Sequence, residues 1–544
     1  MHKKAVLLLI CLLLTAVGIA GCSKKSDSSQ PHAVKQVQRG GQLIYGTLQE
    51  PNTLNPLLSD LMATAEVGRL VFSGLVSSDD KGQWVPDLAI EVPTLQNGGV
   101  SADGLTVTYK LRPGVAWHDG APFSAEDVRF TWNLIMNGQN KVVSQEGYNF
   151  IAAIDVPNSQ TVVMRFKEYY APYLTLFSTI LPKHLLEGNQ DLSKASFNRM
   201  PIGTGPFKFK EWRIAESITF EANGSYFQGR PALDTILYKL IPDMNILLTQ
   251  IKSGDIDLVT NIAPAQLDQV KAITAVKTII TPSMVWEHLD FNLDNSLFHD
   301  VRVRQAIQLG IDRQELVAAT LRNVAGVALT DQPPFSWAYN GNVKSGGRDV
   351  NAAKELLLQT GWVPGADGIC AKAGRKLTFT LVTTSGNKMR EVVAQQLAQQ
   401  LKEIGVLLQV QYVDVPGFFA DVLKNRRFEA AMYAWVAGMD PENSRLWHSK
   451  YIPSQINGYV GQNYSGWRNP EIDKLTELGR MTVDREQRKQ VYFQMQDIMV
   501  QEVPVIPLYY RAAIDVVKSN IANYRPNPTP AGNFWNAWQW GITK

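Results

Sequence analysis

The sequence predicts an α/β protein of two lobes, with an antiparallel insertion in the first. Three observations carry this reading. Residues 377–436 alternate strand, helix, strand, helix, strand, an order that calls for a parallel or mixed sheet with right-handed crossovers. Two segments, 104–111 (GLTVTYKL) and 161–167 (TVVMRFK), alternate apolar and polar residues, as half-buried antiparallel strands do. At 544 residues the chain is long enough for roughly three or four structural units even without its first 21 residues.

The elements follow in chain order. Met1 to Lys4 is a short basic start, Ala5 to Ala20 an apolar run, and small residues precede Cys22, the pattern of a secretory signal over 1–21. That run is shorter than the ~20 residues a spanning helix prefers. The polar stretch after it, 22–39, reads as a flexible tether. Residues 41–47 (GQLIYGT) read as a strand entering a Pro/Asn loop, and Ser124 to Asp127 is a capping box opening a helix. Residues 208–223 read as a strand pair. Residues 235–261 read as strand, short helix and strand.

The clearest helix covers 387–404, where Met389, Val393, Leu397, Leu401 and Ile404 recur at three and four and Gly405 closes it. Strands are expected at 377–384, 406–413 and 428–436, with a helix near 417–427 between the last two. A further helix is capped by Asp484 and runs over 485–501. The Trp-rich tail, 533–540 (NFWNAWQW), reads as a terminal strand.

Composition narrows the function. Lys and Arg exceed Asp and Glu by only three, and two of those positives, Lys3 and Lys4, lie in the leader, so no nucleic-acid partner is expected. Of three cysteines only Cys370 lies in the body, so no disulfide framework is available. No phosphate loop, nucleophile elbow or His-Glu-x-x-His helix occurs, and the seven histidines lack metal-ligand spacing. No catalytic centre, metal or cofactor is therefore expected. Ile202 to Pro206 (IGTGP) contains two glycines, but a proline and then strand residues follow where a phosphate site needs a helix N-terminus; it reads as a tight turn. The surplus is aromatic, with 13 Trp, 18 Tyr and 20 Phe.

One stretch is specific. Residues 101–128, Ser-Ala-Asp-Gly-Leu-Thr-Val-Thr-Tyr-Lys-Leu-Arg-Pro-Gly-Val-Ala-Trp-His-Asp-Gly-Ala-Pro-Phe-Ser-Ala-Glu-Asp-Val, resemble the signature of the family 5 solute-binding proteins of peptide and nickel ABC importers. Glu50 to Pro56, Gly203 to Phe207, Gly254 to Asp257, Asp300 to Ile307 and Ile311 to Arg313 agree in order and spacing. Ile19-Ala-Gly-Cys22 resembles a bacterial lipobox, in which the cysteine is acylated and becomes the first residue.

The resemblance implies a bilobal periplasmic-binding-protein-like fold, type II, cluster C, with an extra α+β subdomain in the first lobe and a two-segment hinge. Lobe I would comprise 40–76, 199–284 and 510–544, its inserted subdomain 77–198, and lobe II 285–509. The hinge crossings are expected near 283–290 and 505–512. It further implies a monomeric, lipid-anchored, extracytoplasmic receptor, on the periplasmic side if an outer membrane is present. Such a receptor closes over an oligopeptide, delivers it to an ABC permease, and does no chemistry.

Site residues follow from the segments the family uses. Trp286, His288 and Asp290 alternate along a strand and share a face. Trp435 ends a parallel-type strand at its C-terminal end, where α/β sheets present ligands. Ala437, Gly438, Met439 and Asp440 follow it. Phe418, Asn463, Tyr464, Tyr509, Tyr510 and Asn52 complete the set, although aromatic residues serve equally in core packing.

One departure bears on cargo. Members that grip a free peptide amino terminus carry an aspartate two to three residues after the tryptophan matching Trp435. Here Val436, Ala437, Gly438 and Met439 precede Asp440-Pro441, with no acid among them. A buried ammonium without a carboxylate is costly. The expectation is a site for longer peptides with weak preference for their ends. The same fold could instead take an oligosaccharide, a nickel chelate or haem. A secreted hydrolase using Asp290 and Asp440 as acid and base is a third reading.

Overall fold

The computed structural model describes residues 37–189, 191–344 and 346–543. The leader, Cys22 and most of the tether lie outside the described residues. The tether's last residues are pinned, because Gln38 N–H donates to the Ile542 carbonyl at 3.2 Å.

Among the described residues, the main sheet has eleven mixed strands. At one side, Gln42–Thr47 runs parallel to both Thr235–Leu240 and Leu258–Val259, and the hairpin Phe207–Arg213 and Ser217–Ala222 extends the edge. At the other side, Thr378–Thr384 runs parallel to both Leu407–Val413 and Ala430–Val436. Between these sides lie two long antiparallel strands, Val276–Phe291 and Val505–Lys518. Their register breaks between Pro282 and Trp286, and again between Glu287 and His288. The first stretch of pairing therefore belongs to one side of the sheet and the last to the other.

The strands divide the apolar residues among separate cores. Leu43, Phe207, Phe220, Tyr238 and Trp540 pack together on one side; Phe291, Phe298, Phe379 and Leu397 pack on the other. A separate three-stranded antiparallel sheet, Thr106–Lys110, Thr161–Phe166 and Ile151–Asn158, carries its own core around Tyr109, Trp117 and Phe177. The alternating pattern of its strands and the capping box on Ala125–Met136 both form, with Ser124 N–H donating to Asp127 at 2.9 Å.

The helix Lys388–Glu403 buries Val393, Leu397 and Leu401, and Gly405 adopts φ +83° after it, the left-handed closure that glycine permits. The tail departs from expectation. Asn533–Gln539 is a 3-10 helix, and the strand follows it at Gly541–Ile542. A kink at Asn536 divides this helix in two, and Phe534, Ala537 and Trp540 are buried. Residues 202–206 are not a free turn either. Gly205 N–H donates to the Val71 carbonyl at 2.8 Å, and a Cβ on Gly203 would lie 1.8 Å from that oxygen. The glycines are there because two backbones touch. No helix among the described residues is long and apolar enough to cross a membrane.

Candidate ligand-binding site

The strand Ala430–Val436 starts inside the protein and ends outside it. Ala430 to Tyr433 are buried, Trp435 is half-buried and Val436 is 69% exposed. Its partner strand sets the register, with Trp286 opposite Trp435 and His288 opposite Tyr433. Past the strand end, Ala437 N–H donates to the Met284 carbonyl at 2.8 Å. The chain then turns through Asp440-Pro441, where Glu442 N–H caps onto Asp440 at 3.0 Å. The result is a loop standing proud of the sheet, held at both ends.

This loop separates two cavities. One, of about 320 Å³, lies between Trp435, Trp286 and the 437–446 segment, with Asp331, Gln332 and Glu146 opposite. The other, of about 350 Å³, lies between Gly438 and Met439 on one wall and Gly68, Arg69, Trp84 and Pro530 on the other. Gly438 borders both. Each volume is at the lower end of the range for small-ligand sites. Polar walls and an indole face suit a flexible chain with varied side chains better than a single rigid molecule.

Ion pairs shape the walls. Asp440 receives both guanidinium nitrogens of Arg488, at 2.8 and 2.7 Å; burial alone would lower the guanidinium, but the carboxylate beside it holds it above its ordinary value. Arg445 reaches across to Glu146 at 2.8 Å, and Arg480 to Glu168 at 3.0 Å. Deeper in, Glu287 is fully buried. Burial alone would raise its carboxyl, but the guanidiniums of Arg511 and Arg390 hold it below its ordinary value.

Of the residues singled out in the sequence, Trp435, Trp286, Ala437, Gly438 and Asp440 line the first cavity, and Gly438 and Met439 the second. Tyr464 backs the first wall, stacked on Trp435 with ring centroids 6.0 Å apart. Tyr510 acts at one remove, its hydroxyl donating to the carbonyls of Thr330 and Gln332 at 3.0 and 2.9 Å.

The others lie elsewhere. His288 is buried between Trp286 and Tyr433, with ring centroids 4.2 and 4.4 Å away. Asp290 is buried and accepts from the Tyr433 hydroxyl at 2.6 Å. Phe418 and Tyr509 belong to two cores. Asn463 is a structural clamp whose Nδ2 donates to the carbonyls of Trp447, His448 and Trp467. Asn52 is exposed and touches the Thr64 hydroxyl at 3.4 Å, outside both linings. Strand alternation told which residues share a face but not that this face is covered by a further layer. Asp290 and Asp440 thus meet in no common cavity, which removes the geometry an acid and base pair needs.

Sequence reasoning missed Asp331, Gln332, Glu146, Arg445, Glu442 and Asn443. The last three follow Asp440-Pro441 directly and were within reach of the loop argument. Asp331 comes from a segment more than 100 residues earlier, and no local pattern marks it. Among the described residues no group of three or more His, Cys, Asp or Glu is arranged to hold a metal ion.

The model of bacterial extracellular solute-binding proteins, family 5 middle, matches residues 83–453. The oligopeptide-binding protein AppA of Bacillus subtilis (strain 168) is 32% identical over 557 residues, covering 100% of this chain and 99% of that protein. The structure of that AppA in complex with a nonapeptide aligns with TM-score 0.74 over 94% of this chain and 100% of the other. NikZ from Campylobacter jejuni in complex with Ni(L-His) aligns at 0.75 with 29% identity, over 92% and 99%. CtaP from Listeria monocytogenes aligns at 0.82 with 26% identity, over 93% and 100%. These relatives are solute-binding proteins, not enzymes. With a family model matching most of its length and a relative 32% identical from end to end, this chain belongs to family 5 of the bacterial extracellular solute-binding proteins.

Proposed function

We propose that this protein is the extracytoplasmic receptor of an ABC importer and captures oligopeptides between two lobes. The carrying observation is the loop at Gly438, with a cavity on each side of it. An extended chain laid along that loop can direct alternate side chains to opposite walls, while backbone groups supply affinity independent of sequence. The relative that binds a nonapeptide supports the same reading.

In this reading lobe I is 40–76, 199–284 and 510–544 with 77–198 inserted, and lobe II is 285–509. The hinge is the register break between Pro282 and Trp286 on one strand and its partner Tyr510 to Ala512 on the other, since a break in the ladder is where a sheet bends most easily. The pairs Arg445–Glu146 and Arg480–Glu168 then join the lobes in the closed form. The chain acts as a monomer, anchored through lipid on Cys22, and hands its cargo to the permease.

Mass spectrometry of ligand released from the purified protein tests the cargo. Peptides of several residues are expected. A sugar, a haem or a nickel–amino-acid complex recovered at one equivalent would replace this reading. For the anchor, a Cys22→Ser variant is expected in the soluble extracytoplasmic fraction; full retention in the membrane at unchanged size removes the lipid.

A further inference from the structure

We propose that the cavity beneath Trp435 receives a Lys or Arg side chain of the bound peptide, seated between Asp331, Glu442 and Asn443. The inference rests on the peptide-binding reading above and names the preference of that same site.

Four carboxylates line the cavity: Glu146, Asp331, Asp440 and Glu442. Two are already neutralised. Asp440 is taken by Arg488 at 2.7 and 2.8 Å, and Glu146 by Arg445 at 2.8 Å. Asp331 is buried and receives neutral donors only: Trp447 Nε1 at 2.8 Å, Asn443 Nδ2 at 2.9 Å and Gln332 Nε2 at 3.4 Å. Glu442 accepts the Ser444 N–H at 3.0 Å. Among the described residues, no cation lies within ion-pair distance of either.

An independent observation comes from Asn443, which is only 7% exposed. Its Nδ2 is fixed on the Asp331 carboxylate, so the amide orientation is settled by chemistry. That leaves Oδ1 as a buried acceptor with no donor, on a residue that lines the cavity. Buried polar atoms of this kind are few, and each calls for a partner such as a water, an ion or a ligand group. Two carboxylates without a cation and an amide oxygen without a donor fit a group that carries several N–H bonds and a positive charge.

The rest of the lining favours a side chain over a bare ammonium. Trp435 offers an indole wall along which the methylenes of Lys or the plane of a guanidinium can lie. Arg445, another residue of the lining, carries a buried Nε without a partner. Burial raises the proton affinity of Asp331 and of Glu442, the latter further because Asp440 and Glu146 are near. A bound cation relieves that cost.

The test uses the full extracytoplasmic chain and calorimetric titration with N-acetylated alanine nonapeptides. Each carries one Lys, stepped through every position, or norleucine at the same position. At one register the Lys peptide is expected to bind at least tenfold more tightly than its norleucine twin. Glu442→Gln and, separately, Asp331→Asn are expected to bring that ratio towards one, with melting curves confirming that each variant folds. Equal binding of the twins at every position, with measurable affinity, overturns this inference and leaves the peptide reading intact. Binding restored only by a free α-amino group replaces the side chain with a peptide terminus. If none of the peptides binds, the peptide reading itself falls, and this inference with it.

Discussion

Asp440 and Arg488 are locked in a two-pronged ion pair, and Arg488 also donates from Nε to the Gly479 carbonyl at 2.7 Å. The pair ties the loop between the two cavities to the helix Arg485–Glu502, with Arg488 only 4% exposed. It therefore sets the position of the loop rather than offering a charge to cargo.

Removing one partner tests this. Asp440→Asn strands a buried guanidinium, which costs about 3–5 kcal/mol. Urea denaturation of Asp440→Asn should show that loss, and a change under 1 kcal/mol would mean that Arg488 finds another acceptor.

Because Asp440 is occupied, a free peptide amino terminus has no partner there. Acetylating a good peptide ligand should weaken binding by less than about tenfold, that is, under about 1.4 kcal/mol. Calorimetry on the two forms of one peptide settles it; a larger loss places an amine pocket in the site after all.

The two tryptophans facing each other across the strand pair should separate binding from stability. Trp435 is half-buried at the cavity, so Trp435→Ala is expected to cost about 2 kcal/mol or more in peptide affinity with a small change in melting temperature. Trp286 is 1% exposed, so Trp286→Ala should cost about 3–5 kcal/mol of stability. The reverse ordering would contradict the placement of the cavity.

Stability should rise on mild acidification. Burial pushes Glu66 up to about 7 from 4.5, against hydrogen bonds from Tyr238 and Tyr45 that lower it. Burial also pushes Asp515 up to about 6. Both carboxyls hold their protons more tightly folded than unfolded, so their contribution is lost as pH rises from about 4.5 through about 7. The melting temperature at pH 5 should exceed that at pH 8 by at least about 2 °C, and Glu66→Gln should shrink the gap. An unchanged gap in that variant assigns the effect elsewhere.

The sequence carried the fold further than the site. Period and caps sufficed for Lys388–Glu403, and alternation sufficed for Thr106–Lys110 and Thr161–Phe166, because each pattern is local. The tail failed because a short aromatic-rich run is as compatible with 3-10 turns as with a strand, and here two such turns meet at a kink at Asn536. The glycines of residues 202–206 respond to a helix more than 130 residues earlier, which no window reveals. For the same reason Trp435 and Gly438 could be read from the end of a strand, whereas Asp331 could not. Tyr433, the neighbour that covers His288, lies on a different strand, so the burial of that histidine was equally invisible.

The strand Val505–Lys518 has a consequence for how the molecule comes into being. Its Ile506 and Leu508 complete one core, its Ile514 and Val516 another, and its Val517 a third. A nascent polypeptide therefore lacks the centre of its sheet until nearly all of it has been made, and pairings such as Val276 with Lys518 span more than 200 residues. Such long closures slow assembly. A truncation ending before residue 505 should therefore yield no stable half.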